Sequence, residues 1–187
     1  MAKLLRSQAT RDRIREAARR LFASRGYDRT TIRGVASAAK IHPSMVMRYY
    51  GSKEGLFTAA VAFDLQLPDL STLPRDSIGT TLIRHLLQRW EAEAGELPAL
   101  IRVAVTHPRA RRRLLDIFQT QIEPAVAKVC PPQRASACAA LMVTQTMGLA
   151  FTRFVLQFPP VVNLPLDLVV RRIGATVQGY LTADDVD

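Results

Sequence analysis

TTIRGVASAAKIHPSMVMRYYGSKEGLF, residues 30–57, reads as two short helices joined by a tight turn and followed by the start of a third. Thr31 has the chemistry of an N-cap: its hydroxyl can accept from the open first turn of a helix carrying Ile32, Val35, Ala36 and Ala39. Pro43 or Ser44 opens the next helix, where a proline loses no helical hydrogen bond and already has a helical φ. Val46 and Tyr50 are its inward positions, joined by Ile41 from the turn. Ser52 then caps a further helix with Leu56, Phe57, Ala60, Val61 and Phe63 on its apolar side. Two short helices crossing steeply are a helix-turn-helix, a device that lays its second helix in the DNA major groove. Sequence-directed DNA binding is the first expectation.

The surrounding charge supports it. The 187 residues carry a net charge of +10. Residues 1–67 hold 13 Lys and Arg against 5 Asp and Glu, whereas the remaining 120 residues are nearly balanced. Concentrating cations on the part with the helix-turn-helix suits attraction to phosphates through counterion release. That part lacks the broad apolar face of a membrane-surface helix. No apolar run is expected to reach the length of a membrane span, and the N-terminus lacks a signal-peptide core. A cytoplasmic chain with no membrane partner is therefore expected. Cys130 and Cys138 have no zinc-type spacing and read as small core residues or, alternatively, as a redox-sensing thiol.

Nearly every segment has helical period, so the fold class is all-α, with about nine helices. The first helix is expected from about Thr10 to Ser24, with Ile14, Ala17, Ala18, Leu21 and Phe22 on one stripe and Gly26 as its stop. The basic segment Lys3 to Arg13 before and within it is either a minor-groove arm or a disordered start. Pro68 to Pro74 reads as a loop, which sets domain boundaries at 8–67 and 68–187. Helices follow at about 76–94, 96–106, 108–128, 134–157 and 166–181, with Phe158-Pro159-Pro160 as a break before the last.

The N-terminal third resembles the TetR family of bacterial transcriptional repressors. The resemblance rests on Ala17-Ala18-Arg19-Arg20-Leu21-Phe22, Arg25-Gly26-Tyr27, Thr30-Thr31-Ile32-Arg33, Val35-Ala36 and Tyr49-Tyr50-Gly51-Ser52-Lys53-Glu54-Gly55-Leu56-Phe57. It implies an N-terminal three-helix DNA-binding domain followed by a helical regulatory domain. Position by position, Thr31 can cap its helix and face a phosphate, and Arg33 can reach a phosphate or a guanine edge. Ser44, Met45, Arg48 and Tyr49 are left outward on the second helix of the motif, and Arg48 is the expected base reader, because its planar fork fits guanine O6 and N7. His42 and Tyr49 can bond phosphates. Lys53 corresponds to the family's backbone clamp. Lys40 stands at a left-handed turn position where relatives commonly have Gly, a cost of about 1 kcal/mol unless a phosphate contact offsets it. Met45 and Met47 replace hydroxyl residues frequent in the family, and Met45 can touch a thymine methyl instead.

In the second half, the small residues of 134–157 and the apolar face of 166–181 suit close helix packing, and the resemblance implies a four-helix homodimer interface there. A dimer implies an inverted-repeat operator. Trp90, Phe118, Met142, Met147, Phe151 and Phe154 can line an apolar effector cavity with His85 and Thr146 among its polar anchors, or form a plain core. Gln145 and Arg153 are further candidate anchors. His85 and His107 have no acidic partner at metal spacing, and no catalytic motif or cofactor loop is present in the sequence. The expected function is a homodimeric repressor released by a small apolar or amphiphilic ligand, without metal, cofactor or enzymatic activity. The alternative is a sequence-indifferent architectural DNA binder.

Overall fold

A computed structural model describes residues 2–61, 64–92 and 96–182. Phe63 lies outside them. Among the described residues all regular structure is helical. In chain order the helices are α1 (Ala2–Arg29), α2 (Ile32–Ala38), α3 (Pro43–Tyr50), α4 (Lys53–Ala60), α5 (Ile78–Ala92) and α6 (Glu96–Thr106). Then come α7 (Pro108–Ile117), α8 (Glu123–Val126), α9 (Ala135–Ala150), α10 (Pro159–Val162) and α11 (Leu166–Thr182). The chain divides into two compact units, residues 1–63 with 94–111 and residues 64–93 with 112–187.

The first unit is built on α1. This helix starts at Ala2, well before Thr10, so the backbone of Lys3 to Arg13 is neither a flexible arm nor a disordered start. The reason is local: no glycine or proline interrupts residues 2–25. At Gly26 the backbone turns to φ 76°, a conformation that glycine adopts freely, and the helix breaks. Thr30 secures the break, its buried hydroxyl donating to the carbonyls of Leu21 (3.1 Å) and Gly26 (2.8 Å). Ile14, Ala17, Ala18 and Phe22 of α1 are buried with Val35, Ala36, Val46, Leu56, Phe57 and Ala60. The rings of Phe22, Tyr27 and Phe57 meet within 5.0–5.7 Å, stacked or edge-on. α6 packs along α1, and the His107 ring that follows it sits 4.1 Å from Tyr27. Residues 94–111 thus pack with the first unit, although a single boundary near Leu67 groups them with the second region.

In the second unit α5 and α11 cross with glycines at the contact. A Cβ on Gly79 would run into the Gly174 carbonyl, and one on Gly174 into Thr80. Gln178 bridges the crossing, accepting from Gly79 N–H (2.8 Å) and donating to the Arg75 carbonyl (2.7 Å). Where one helix was expected over 108–128, α7 passes through a wider π turn at Phe118–Ile122 into the one-turn α8. Likewise α9 continues through a π turn at Phe151–Val155. Together Ala135–Val155 makes 21 residues long and apolar enough to cross a membrane, with 39% buried inside the fold. This corrects the expectation that no run reaches that length: scattered Thr and Gln side chains break the visual run without offsetting its Leu, Met, Val, Ala and Phe. Pro159-Pro160 does not only break the chain but opens the single turn α10, as prolines at first helical positions can.

Candidate nucleic-acid interface

Each end of the helix-turn-helix is fixed by a local side chain. Thr31 caps α2 by accepting from Gly34 N–H at 3.0 Å. His42 caps α3: its Nδ1 accepts from Ser44 N–H at 3.3 Å and lies 2.7 Å from the Ser44 hydroxyl. With Nδ1 an acceptor, the neutral ring carries its proton on Nε2. Ser52 caps α4 by accepting from Gly55 N–H at 3.0 Å. Between α2 and α3, Lys40 takes φ 54°, the left-handed value expected of that position.

Val46 is the buried knob of α3, and the opposite side of the helix is exposed at Ser44, Met47 and Arg48. Thr31, Arg33, Lys40 and His42 are exposed as well, while Met45, Tyr49 and Lys53 are partly covered. Among the described residues no ion pair engages Arg33, Lys40 or Arg48. The nearby carboxylates are taken up by other arginines, Asp12 by Arg15, Glu16 by Arg19 and Glu54 by Arg109. The surface is therefore cationic and not self-neutralised, as phosphate recognition requires.

Two of the expected DNA-binding residues, Tyr49 and Lys53, carry intramolecular duties besides, as does the inward Tyr50. The Tyr49 hydroxyl is 3.2 Å from the Ser7 hydroxyl, and its ring lies under the Arg11 guanidinium at 5.1 Å. Tyr50 donates to the Arg11 carbonyl at 2.9 Å, and burial holds its phenol above the usual tyrosine pKa against the pull of Arg15 and Arg11. Lys53 donates to the Asp28 carbonyl (3.2 Å) with its ammonium 4.4 Å from the centre of the Tyr27 ring. Sequence reasoning missed Ser7, Arg11 and Arg13 as supports, because each acts on a residue more than twenty-five positions away. The basic character of Arg11 and Arg13 was the only signal.

Gly55 places α4 against the end of α3, since a Cβ there would strike the Tyr50 carbonyl oxygen. Gly55→Ala must displace one helix from the other, and overpacking of this kind costs about 1–3 kcal/mol. The expected outcome is a lowered thermal midpoint together with weakened DNA binding, measured by calorimetry and a DNA titration on the same variant.

In the second unit the expected effector residues are dispersed. Trp90 is buried, edge-on to Phe154 at 6.0 Å, and its indole N–H has no hydrogen-bond partner among the described residues. Met142 and Thr146 are buried on one side of α9, where the Thr146 hydroxyl donates to the Met142 carbonyl at 2.9 Å. Phe118 and Phe151 lie half-buried in the two π turns and Met147 half-buried on α9. His85 donates from Nε2 to the Leu65 carbonyl at 3.0 Å. Arg153 clasps α10 by donating to the carbonyls of Val161 and Val162. A groove of about 620 Å³ runs along α9 and α11, lined by Thr144, Gln145, Gly148, Leu164, Leu168 and Ile173 among others. It contains Gln145 but none of the aromatic residues. Cys130 and Cys138 are both buried, and the Cys130 thiol, donating to the Leu181 carbonyl, is pushed up to about 12 by burial and then by Cys138. A thiol held protonated is a poor nucleophile, which favours the core reading over redox sensing. No group of three metal-ligating side chains occurs among the described residues.

Comparison with known proteins agrees with this geometry. Residues 14–60 match the family model described as bacterial regulatory proteins, tetR family. Residues 76–181 match that of the tetracyclin repressor-like C-terminal domain. Over 45 residues the chain is 40% identical to the HTH-type transcriptional regulator TcmR of Streptomyces glaucescens, a match covering 24% of this chain and 20% of that protein. The crystal structure of a TetR-family regulator from Streptomyces coelicolor A3 superposes with a TM-score of 0.65 at 28% identity, covering 92% of this chain and 94% of that one. A Mesorhizobium loti structure described as a TetR-family transcriptional regulator gives 0.64 over 94% of this chain and 96% of its own. At 19% identity it bears on fold alone. With both halves matched and a capped, cationic helix-turn-helix in the first, the chain belongs to the TetR family of DNA-binding transcriptional regulators.

Proposed function

We propose that the chain is a homodimeric repressor that occupies an inverted-repeat operator and leaves it when a small apolar or amphiphilic ligand binds. Residues 8–67 are its DNA-binding domain and residues 68–187 its ligand-binding and dimerisation domain. The observation that carries the DNA half is the exposed row Arg33, Lys40, His42, Ser44 and Arg48 on helices whose ends are locked by Thr31, His42 and Ser52. Arg48 reads a guanine, Met45 lies against a thymine methyl, and Arg33 reaches the groove or its backbone. Thr31, Lys40, His42, Ser44, Tyr49 and Lys53 hold phosphates, which set register without reading sequence. Lys53 still has two ammonium donors beyond the one given to Asp28.

Dimerisation is supported by the long apolar helix Ala135–Val155, little more than a third buried, and by the groove between α9 and α11 with Leu141, Leu164 and Leu166 exposed around it. Effector binding is supported by the buried Trp90 N–H beside Phe154, unpartnered among the described residues, which an acceptor atom on an apolar ligand would satisfy. Such a ligand acts by preferring the conformer that does not bind DNA, since only differential affinity shifts an equilibrium. The chain works by binding rather than catalysis, and beside the chromosome in the cytoplasm.

The test separates reader from clamp. Arg48→Ala is expected to cut discrimination between a selected duplex and its base-substituted versions by about 1–3 kcal/mol, whereas Lys53→Ala weakens all duplexes alike. Quantitative DNA titrations over a set of single-base variants check both. Equal, sequence-blind losses would remove Arg48 from the reading role.

A further inference from the structure

Arg13 lies on α1, yet its guanidinium reaches the turn of the helix-turn-helix. One terminal nitrogen, Nη2, donates to the Ala39 carbonyl at 2.6 Å and to the Lys40 carbonyl at 3.3 Å. These two carbonyls lie where α2 has ended and α3 has not begun. Ala39 N–H, Lys40 N–H and Ile41 N–H turn back to the carbonyls of Val35, Ser37 and Ala36, so the amides of the turn are satisfied from within α2. The carbonyls receive a cation instead, at the helix end where positive charge is favoured. α2 has no basic residue in its own last turn.

The same turn contains Lys40 at φ 54°, where a side chain is disfavoured by about 1 kcal/mol relative to glycine. A charge-assisted hydrogen bond is stronger than a neutral one, and two of them on adjacent carbonyls hold the turn in that conformation. We propose that Arg13 is a positioning residue for DNA recognition. By gripping both carbonyls it fixes the left-handed turn without a glycine and so sets the angle at which α3 leaves α2. Its guanidinium acts on the protein, not on a phosphate. This rests on α3 being the recognition helix, as proposed above.

Three properties separate this role from a phosphate contact or a merely structural one. A phosphate contact contributes a released counterion, so its loss lowers the slope of log affinity against log salt by about one. A turn support leaves that slope unchanged and affects the preferred sequence more than a scrambled one. It is also made unnecessary when the turn residue becomes glycine.

The experiment uses the full chain and a duplex selected from a random pool by the wild-type protein, with a scrambled duplex of equal length. Arg13→Ala is expected to lose about tenfold in affinity for the selected duplex, equivalent to 1.4 kcal/mol, with little change on the scrambled one and an unchanged salt slope. Adding Lys40→Gly to Arg13→Ala is expected to restore the preference for the selected over the scrambled duplex to that of Lys40→Gly alone, since the Lys40 phosphate contact is lost equally from both duplexes. Circular dichroism on each variant checks the helices. Should Arg13→Ala unfold, Arg13→Lys decides instead: the ammonium keeps the charge but ends one bond short of the Nη2 position, so a positioning role predicts a lowered preference for the selected duplex that Lys40→Gly returns to that of Lys40→Gly alone. Wild-type affinity in the substituted protein, a salt slope reduced by one, or no rescue by glycine would each overturn the proposal. Arg48→Ala in the same assay distinguishes the two levels: if it leaves discrimination intact, the recognition-helix reading fails; if only the Arg13 variants behave as wild type, the clamp fails.

Discussion

Gly148→Arg is expected to leave the chain folded but monomeric, and to weaken binding to the selected duplex by about 100- to 10,000-fold, the range over which two linked contacts exceed one. Gly148 is exposed on α9 within the groove, and a Cβ built on it meets nothing within 4 Å among the described residues. In the isolated fold the new side chain therefore has room, and losing a mid-helix glycine favours the helix by up to about 1 kcal/mol. Across a two-fold axis the position is different. Each protomer would drive a charged side chain into the close approach that a glycine permits, and an unpaired charge in an apolar interface is strongly disfavoured. A monomer keeps one recognition helix and loses the second half-site. Sedimentation velocity and a DNA titration give the two readings. A variant that remains dimeric would place the interface elsewhere.

Phe22→Ala is expected to cost about 3–5 kcal/mol, as buried aromatic truncations do. Its side chain is fully buried, and it stacks on Tyr27 while meeting Phe57 edge-on, so one substitution opens a cavity and removes two aromatic pairs. Against a typical stability of about 5–15 kcal/mol this is roughly a fifth or more of the total. At roughly 2–4 °C per kcal/mol for a chain of this size, the thermal midpoint falls by about 6–20 °C. DNA binding falls with it, because Tyr27 also carries the Lys53 ammonium on its face. Phe22→Leu, which refills part of the space, should recover much of the loss in a calorimetric scan.

Much of the DNA-binding head was legible in the sequence, because its decisive features are local. Thr31, Ser52 and Gly26 act on backbone groups within a few residues, and the left-handed Lys40 was implied by the family resemblance at that turn. His42 was read as a phosphate donor and turns out to cap α3 as well. The supports from α1 were not legible: Arg13 to the turn, Arg11 to Tyr49 and Ser7 to the Tyr49 hydroxyl all span more than twenty-five positions and depend on how α1 crosses the motif. The pairing of α6 with α1 is hidden for the same reason, since His107 beside a proline looks like punctuation until its ring is found against Tyr27. In the second half, periodicity located the long helices but not the π turns at 118–122 and 151–155, whose extra residue per turn leaves no compositional mark. Phe118, Phe151 and Phe154 lie in those turns.

Central to the account is that a dimer of this chain reads one inverted repeat through α3. Selection of duplexes from a random pool by the full-length wild-type protein, repeated at rising salt, tests it most directly. The predicted result is a single enriched inverted repeat whose half-site centres lie about one helical turn or more apart, retained as salt rises while background binding falls. Enrichment of no motif, with affinity for all duplexes falling together, would contradict it and leave a sequence-indifferent DNA binder.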